Sequence, residues 1–187
     1  MIKRSKTVAL TILGAAAFTL AGCQEDTVDA AAFPDLKSCT NAAQNGGMFS
    51  AQDCNAAFAD AEALHVEAAP RYDSLSVCEE QHGQGACGTE AAATQGGSGS
   101  IFMPLMMGYL IGNMLGGSKA SQPLYKTPNG KFTNATGSST FSGNSGATKL
   151  STSQFNRPPT TVGKPPMSRA TAMSRGGFGS RSSGFGG

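Results

Sequence analysis

The chain has no tryptophan, only two histidines, and no aspartate or glutamate after position 90. Each absence narrows the possible functions. With His65 and His82 as its only imidazoles, it has little with which to build a general acid–base pair. No Gly-x-Ser-x-Gly elbow, His-Glu-x-x-His zinc helix or phosphate loop is present, since Gly112–Gly117 runs into Ser118-Lys119 in the wrong order. An enzyme is therefore not expected, and neither is a bound cofactor. The acidic residues are all confined to positions 25–90. Residues 23–90 hold 12 of them against Lys37 and Arg71, a balance of 2 − 12 = −10. From 91 to 187 nine lysines and arginines stand alone, so the net +2 conceals two oppositely charged halves.

The N-terminus has a basic start (Lys3, Arg4, Lys6), an uncharged apolar run from Thr7 to Leu20, and Leu20-Ala21-Gly22-Cys23. That order is a signal peptide, and the run falls short of the ~20 apolar residues a spanning helix needs. The four-residue box resembles the lipobox of bacterial lipoproteins. The resemblance implies cleavage after Gly22 and a diacylglyceryl and acyl (palmitate-type) anchor on Cys23. Removing 22 of 187 residues leaves 165. Gln24, rather than Asp, follows the cysteine, so sorting to the outer membrane, facing the periplasm, is the expectation.

In that oxidising compartment Cys39, Cys54, Cys78 and Cys87 form an even set with three possible pairings. Sequential pairing, Cys39–Cys54 and Cys78–Cys87, closes the shortest loops and is favoured. A Cys78/His82/Cys87 metal or redox site is the weaker alternative, because zinc ligands normally come as two tight pairs; no metal is expected, and both histidines are expected at the surface. Phe33, Leu36 and Cys39 share their spacing with Tyr72, Leu75 and Cys78, which points to a duplicated helix-plus-disulfide unit. Between the units, Ser50 to Asp53 resembles a capping box that opens an alanine-rich helix ended by Pro70. A second box, Ser76 to Glu79, starts a short helix that Gly83 stops.

The expected architecture is a small all-α, disulfide-stapled head, followed by a glycine-zipper helix and a long disordered Gly/Ser/Thr/Pro tail. Its parts are a signal peptide (1–22), a tether (23–32), an acidic four-cysteine head (33–90), a Gly/Ser linker (91–100), an apolar helix (101–117) and a basic low-complexity tail (118–187). Gly108, Gly112 and Gly116 recur every four residues and would give the helix a flat packing stripe. Fifteen residues reach only ~22 Å against a ~30 Å hydrocarbon core. Self-association, an envelope protein partner, shallow membrane insertion and packing on the head all stay open for it. The tail could hold an anionic envelope polymer such as lipopolysaccharide, fold back on the acidic head, or simply be solvated. Its Arg175-Gly-Gly-Phe-Gly179 segment has an RGG look, but an exported chain meets no nucleic acid.

The lipobox, the four-cysteine head, Ser98-Gly-Ser-Ile-Phe-Met-Pro-Leu-Met-Met-Gly-Tyr-Leu-Ile-Gly-Asn-Met-Leu-Gly-Gly117, Gln122-Pro-Leu124, Gly130-Lys-Phe-Thr-Asn-Ala-Thr-Gly137 and Arg175–Gly179 together resemble the YgiB-like family of bacterial lipoproteins. The resemblance implies an envelope lipoprotein and supplies no catalytic residues. The expected function is a non-enzymatic, membrane-anchored structural or interaction module. Polyanion binding through the basic tail is the alternative.

Overall fold

The computed structural model describes residues 26–94, 96 and 99–177; Cys23 and the signal segment lie outside them. The described chain opens with β1 (Thr27–Phe33), then α1 (Leu36–Gln44), α2 (Ala51–Ala68) and α3 (Leu75–His82). Next come β2 (Cys87–Thr89), α4 (Glu90–Thr94), β3 (Phe102–Pro104), β4 (Tyr109–Asn113) and β5 (Lys119–Pro123). β6 (Tyr125–Lys126), β7 (Phe132–Thr133), β8 (Thr140–Phe141), β9 (Gly146–Ser151) and α5 (Arg169–Ser174) complete the order. Three antiparallel sheets result: β5-β4-β1-β9, β2-β3 and β6-β7-β8.

The helices start where side chains satisfy orphan amides. Asp35 accepts from the Ser38 amide at 2.7 Å to open α1. Ser50 and Asp53 form the reciprocal box, at 3.1 and 3.0 Å, that opens α2. α2 stops at Ala68, with Ala69 already extended (ψ 140°) ahead of Pro70. α3 begins two residues earlier than its expected cap: Ser74, not Ser76, accepts from the Val77 amide. Gly83, at φ 96°, ends it. The duplicated triplet thus has a structural meaning. In both copies an extended aromatic precedes a polar cap, then a helix starting at leucine, then a buried cysteine. Disulfides join Cys39 to Cys54 and Cys78 to Cys87.

The core is the main sheet, covered on both faces. Ala31, Tyr109 and Ile111 face Ala57 and Ala61 of α2, together with Phe49 and the Cys39–Cys54 pair. Ala30, Ala32, Val28 and Leu110 face the other way, onto Leu124 and Phe155. Alternation along β1 and β4 places neighbours on opposite faces, and the register pairs Ala31 with Ile111 and Ala32 with Leu110. Alanine in the central strand lets the helix layer come close. Fully buried Leu110 and Ile111 each contribute roughly 1.5–3 kcal/mol. Ser121 ties β5 to α2 by donating to the Ala57 carbonyl at 2.7 Å.

The fold is therefore not the small all-α head expected from sequence. Residues 27–32, read as part of the tether, join Phe33, read as the start of the head, in a central strand. The segment 101–117, read as a glycine-zipper helix, is β3, a bend and β4, followed by a 3-10 turn at Leu115–Gly117. A strand covered on both faces is apolar at successive positions, so its pattern matches a buried helix. The three glycines serve unrelated ends. Gly108 takes φ +145°, and a Cβ there would meet the Phe33 carbonyl oxygen at 2.8 Å. Gly112 leaves room for the Phe155 ring, which a Cβ would meet at 2.4 Å. Gly116 makes a turn at φ +83° in open space. Much of the segment read as a disordered tail is ordered as well: residues 118–177 supply β5 to β9 and α5. Of its phenylalanines, Phe155 is buried and Phe141 half-buried against Val28, Ala30 and Ala32 of β1 and Leu110 of β4, so they need no core of their own.

Candidate functional site

Arg71 organises a wide concavity among the described residues. It follows Pro70 at the end of α2, where helix carbonyls lack partners. Its Nη2 donates to the Val66 carbonyl at 2.8 Å and Nη1 to the Ala69 carbonyl at 3.3 Å, while Nε pairs with the Glu90 carboxylate at 2.6 Å. Nη1 also donates to the Thr161 hydroxyl. The guanidinium is 4% exposed, so one buried charge knits α2, α4 and the distant tail together.

Residues 157–177 return across this surface as a strap. The Thr161 amide donates to the Glu67 carbonyl at 2.9 Å, and the Met167 amide to the Arg71 carbonyl at 2.7 Å. The Asp73 amide donates back to the Met167 carbonyl at 3.1 Å, making a parallel bridge at Tyr72. Ala172 of α5 then packs with Tyr72, Val77 and Cys78. Arg157 pairs with Glu67 and Arg169 with Glu80, so basic tail meets acidic head. Between strap, helix end and the Ala135–Gly137 loop lies a cleft of about 560 Å3. Pro70, Pro158, Pro159, Pro165 and Pro166 contribute to its walls with Ala68, Met167 and Ala172. Among the described residues its cations are Arg71, Lys164 and Arg175, and no aspartate, glutamate, histidine or cysteine lines it.

Behind the cleft sits a buried polar ladder. His82 is 0% exposed; its Nδ1 lies 2.9 Å from the Lys126 carbonyl and its Nε2 2.9 Å from the Tyr72 hydroxyl. A carbonyl only accepts, so Nδ1 carries the proton and Nε2 accepts from Tyr72. Burial pulls His82 down to about 4 against a weaker upward pull from the Lys126 carbonyl. His65, 3.1 Å from the Tyr125 hydroxyl, is also lowered to about 4, by burial first and the Arg71 charge second. Burial raises the hydroxyls of Tyr72 and Tyr125. The ladder is neutral at physiological pH and braces the fold. The expectation of two surface histidines is thus corrected: their partners are tyrosines and a backbone carbonyl, brought together only by the tertiary fold.

The residues singled out from sequence lie elsewhere. Cys23 is outside the described residues. Cys39–Cys54 pins α1 to α2, and Cys78–Cys87 pins α3 to β2 beside Tyr72, leaving no thiolate for a Cys78/His82/Cys87 metal site. Gly108, Gly112 and Gly116 are in and around β4, not in the cleft. The cleft residues went unrecognised, although the proline pairs 158–159 and 165–166 flanking an acid-free basic stretch were a readable signal.

No solved structure matches the chain. A UPF0441 protein of Serratia proteamaculans is 32% identical over 190 residues, covering 94% of this chain and 81% of that relative. UPF0441 proteins of Klebsiella pneumoniae (32%, covering 88% of this chain and 76% of the relative) and Yersinia enterocolitica (33%, covering 94% and 80%) are similar to it. A family model described as "Protein of unknown function (DUF1190)" matches residues 27–186, which include the sheet, both disulfides and the strap, and the chain belongs to that family.

Proposed function

We propose that this protein is a lipid-anchored, non-catalytic binding module of the bacterial cell envelope, held by Cys23 at the outer membrane and facing the periplasm. The observation that carries the binding part is the cleft: a cavity of ligand size, apolar in its walls and cationic in its charged groups. Among the described residues its ionisable side chains are one lysine and two arginines, a set suited to holding a ligand rather than to exchanging protons with it. The histidines that could transfer protons are spent on internal hydrogen bonds. The anchor is supported by the Leu20–Cys23 box, and the oxidising compartment by two disulfides.

Polyanion capture by a free tail has less support. Lys149 already pairs with Asp29 of β1, and Arg157 and Arg169 with Glu67 and Glu80 of the head. The anchor is tested by blocking lipoprotein signal processing in cells and reading the mature N-terminus by mass spectrometry. A mature chain that begins at a diacylglyceryl-bearing Cys23 is expected, replaced on inhibition by a chain that still carries residues 1–22; an unmodified Cys23 in the mature chain overturns the reading.

A further inference from the structure

We propose that the cleft under the strap takes an anionic amphiphile: a single aliphatic chain along the proline–alanine wall, with a phosphate or carboxylate head between Lys164 and Arg175. The proposal rests on the reading of the cleft as a ligand site and adds the ligand's class. Three observations carry it. The walls formed by Ala68, Pro159, Pro166 and Met167 are aliphatic, and among the described residues no aromatic ring lines the cleft for a sugar or base to stack on. Arg71 is already neutralised by Glu90, whereas Lys164 and Arg175 make no ion pair among the described residues. Arg175 Nη1 lies 3.6 Å from the Met167 sulfur, which sets a cation directly beside the apolar wall. With no carboxylate among the described residues of the lining, an anion meets no opposing charge from them. Apolar walls with two uncompensated cations match an amphiphile with a negative head, and each methylene buried would add to affinity.

The test is photoaffinity labelling of the full chain in isolated cell envelopes. A diazirine-bearing dodecyl phosphate is compared with a diazirine-bearing dodecyl maltoside, crosslinks are mapped by mass spectrometry, and inorganic phosphate or dodecanoate serves as competitor. Labelling by the phosphate probe on peptides containing residues 68–71 or 158–167 is expected. Dodecanoate should compete if either head group serves; phosphate alone should not. The double variant Lys164→Gln/Arg175→Gln should lower labelling about tenfold, the effect of losing roughly one charge-assisted contact. Retention of both disulfides and of protease resistance shows that the variant is folded.

Equal labelling of the cleft by the neutral maltoside overturns the anionic class while leaving a ligand-binding cleft. Competition by inorganic phosphate alone overturns the amphiphile. Labelling absent from the cleft with both probes overturns the ligand-site reading itself. Crosslinks are scored on processed and unprocessed chains alike, so the outcome is independent of Cys23.

Discussion

Gly112→Ala should reverse its effect according to what stands at position 155. Gly112 has ordinary strand geometry, and a built Cβ would lie 2.4, 2.6 and 2.9 Å from three atoms of the Phe155 ring. Phe155 is only 8% exposed and wedged against Leu110 and Leu124, so the ring cannot retreat freely. Overpacking of this kind costs about 1–3 kcal/mol, and three close ring atoms point to the upper half of that range. Phe155→Ala alone should cost about 3 kcal/mol, the low end for a phenylalanine truncation, because the residue keeps 8% of its surface exposed. In that background the clash is gone, and alanine in mid-strand is better than glycine by about 0.5–1 kcal/mol. Gly112→Ala should then stabilise, giving a coupling of about 2.5–4 kcal/mol by difference. Urea unfolding of the mature chain with disulfides intact, followed by circular dichroism, measures all four corners of the cycle. An equal cost of Gly112→Ala in both backgrounds would refute the sheet assignment and restore the helical stripe. Two neighbours act as controls. Gly116→Ala meets only its positive φ and should cost about 1 kcal/mol. Gly108→Ala collides with backbone at Phe33, which no side-chain deletion relieves.

Replacing Cys39 and Cys54 together by alanine should lower stability by about 3 kcal/mol, and replacing Cys78 and Cys87 by about 2.6 kcal/mol, following loops of 15 and 9 residues; urea midpoints check the order. His65 and His82 are held near 4 in the folded chain against 6.5, so the unfolded state binds more protons between those values. Stability should be flat above pH 6.5 and fall on acidification to pH 4 by on the order of 3 kcal/mol for His82, and a double His65→Gln/His82→Gln variant should flatten that slope. Arg71→Met keeps the apolar stem but removes the guanidinium that pairs with Glu90 and donates to the Val66 carbonyl, and should cost about 3–5 kcal/mol in thermal or urea unfolding. Raising salt to about 0.5 M, where screening acts within a few ångströms, should leave hydrogen-exchange protection of the Thr161 and Met167 amides unchanged; loss of protection would show that charge alone holds the strap.

What could be read from sequence was what depends on neighbours a few residues apart. The cap at Ser50, the stop at Pro70 and the repeated aromatic–leucine–cysteine spacing are local, and the structure contains each. The sheet was not legible, because its evidence is distributed. β1 reads as a polar tether with three alanines until β4 and β9 pair on either side of it. β4 reads as a helix because burial on both faces erases the alternation that betrays a strand. Gly112 looks like a packing stripe until a phenylalanine 43 positions later (155 − 112) occupies the space it leaves. The ladder of Tyr72, His82, Tyr125 and His65 joins residues as much as 60 positions apart, and no spacing rule announces it.

The segregated charge invites an electrostatic account of the strap, but the magnitudes point elsewhere. Arg157–Glu67 and Arg169–Glu80 are both largely solvent-exposed, and such pairs contribute about 0–1 kcal/mol each. The other side of the balance is the pairing around residues 71–73. There Tyr72 is fully buried between β3 and the strap, with backbone bonds to Phe102 on one side and, through Arg71 and Asp73, to Met167 on the other. Ala172 and Met167 add apolar area to the same cluster. Burial on this scale exceeds what two surface ion pairs supply, so strand-like pairing and apolar contact hold the strap down. The charges have a narrower part: an acid-free strap can lie along an acidic head in any register without repulsion, and the ion pairs favour the one observed. Spending Arg157 and Arg169 in this way leaves Lys164 and Arg175 as the strap's unpaired cations among the described residues, and both line the cleft.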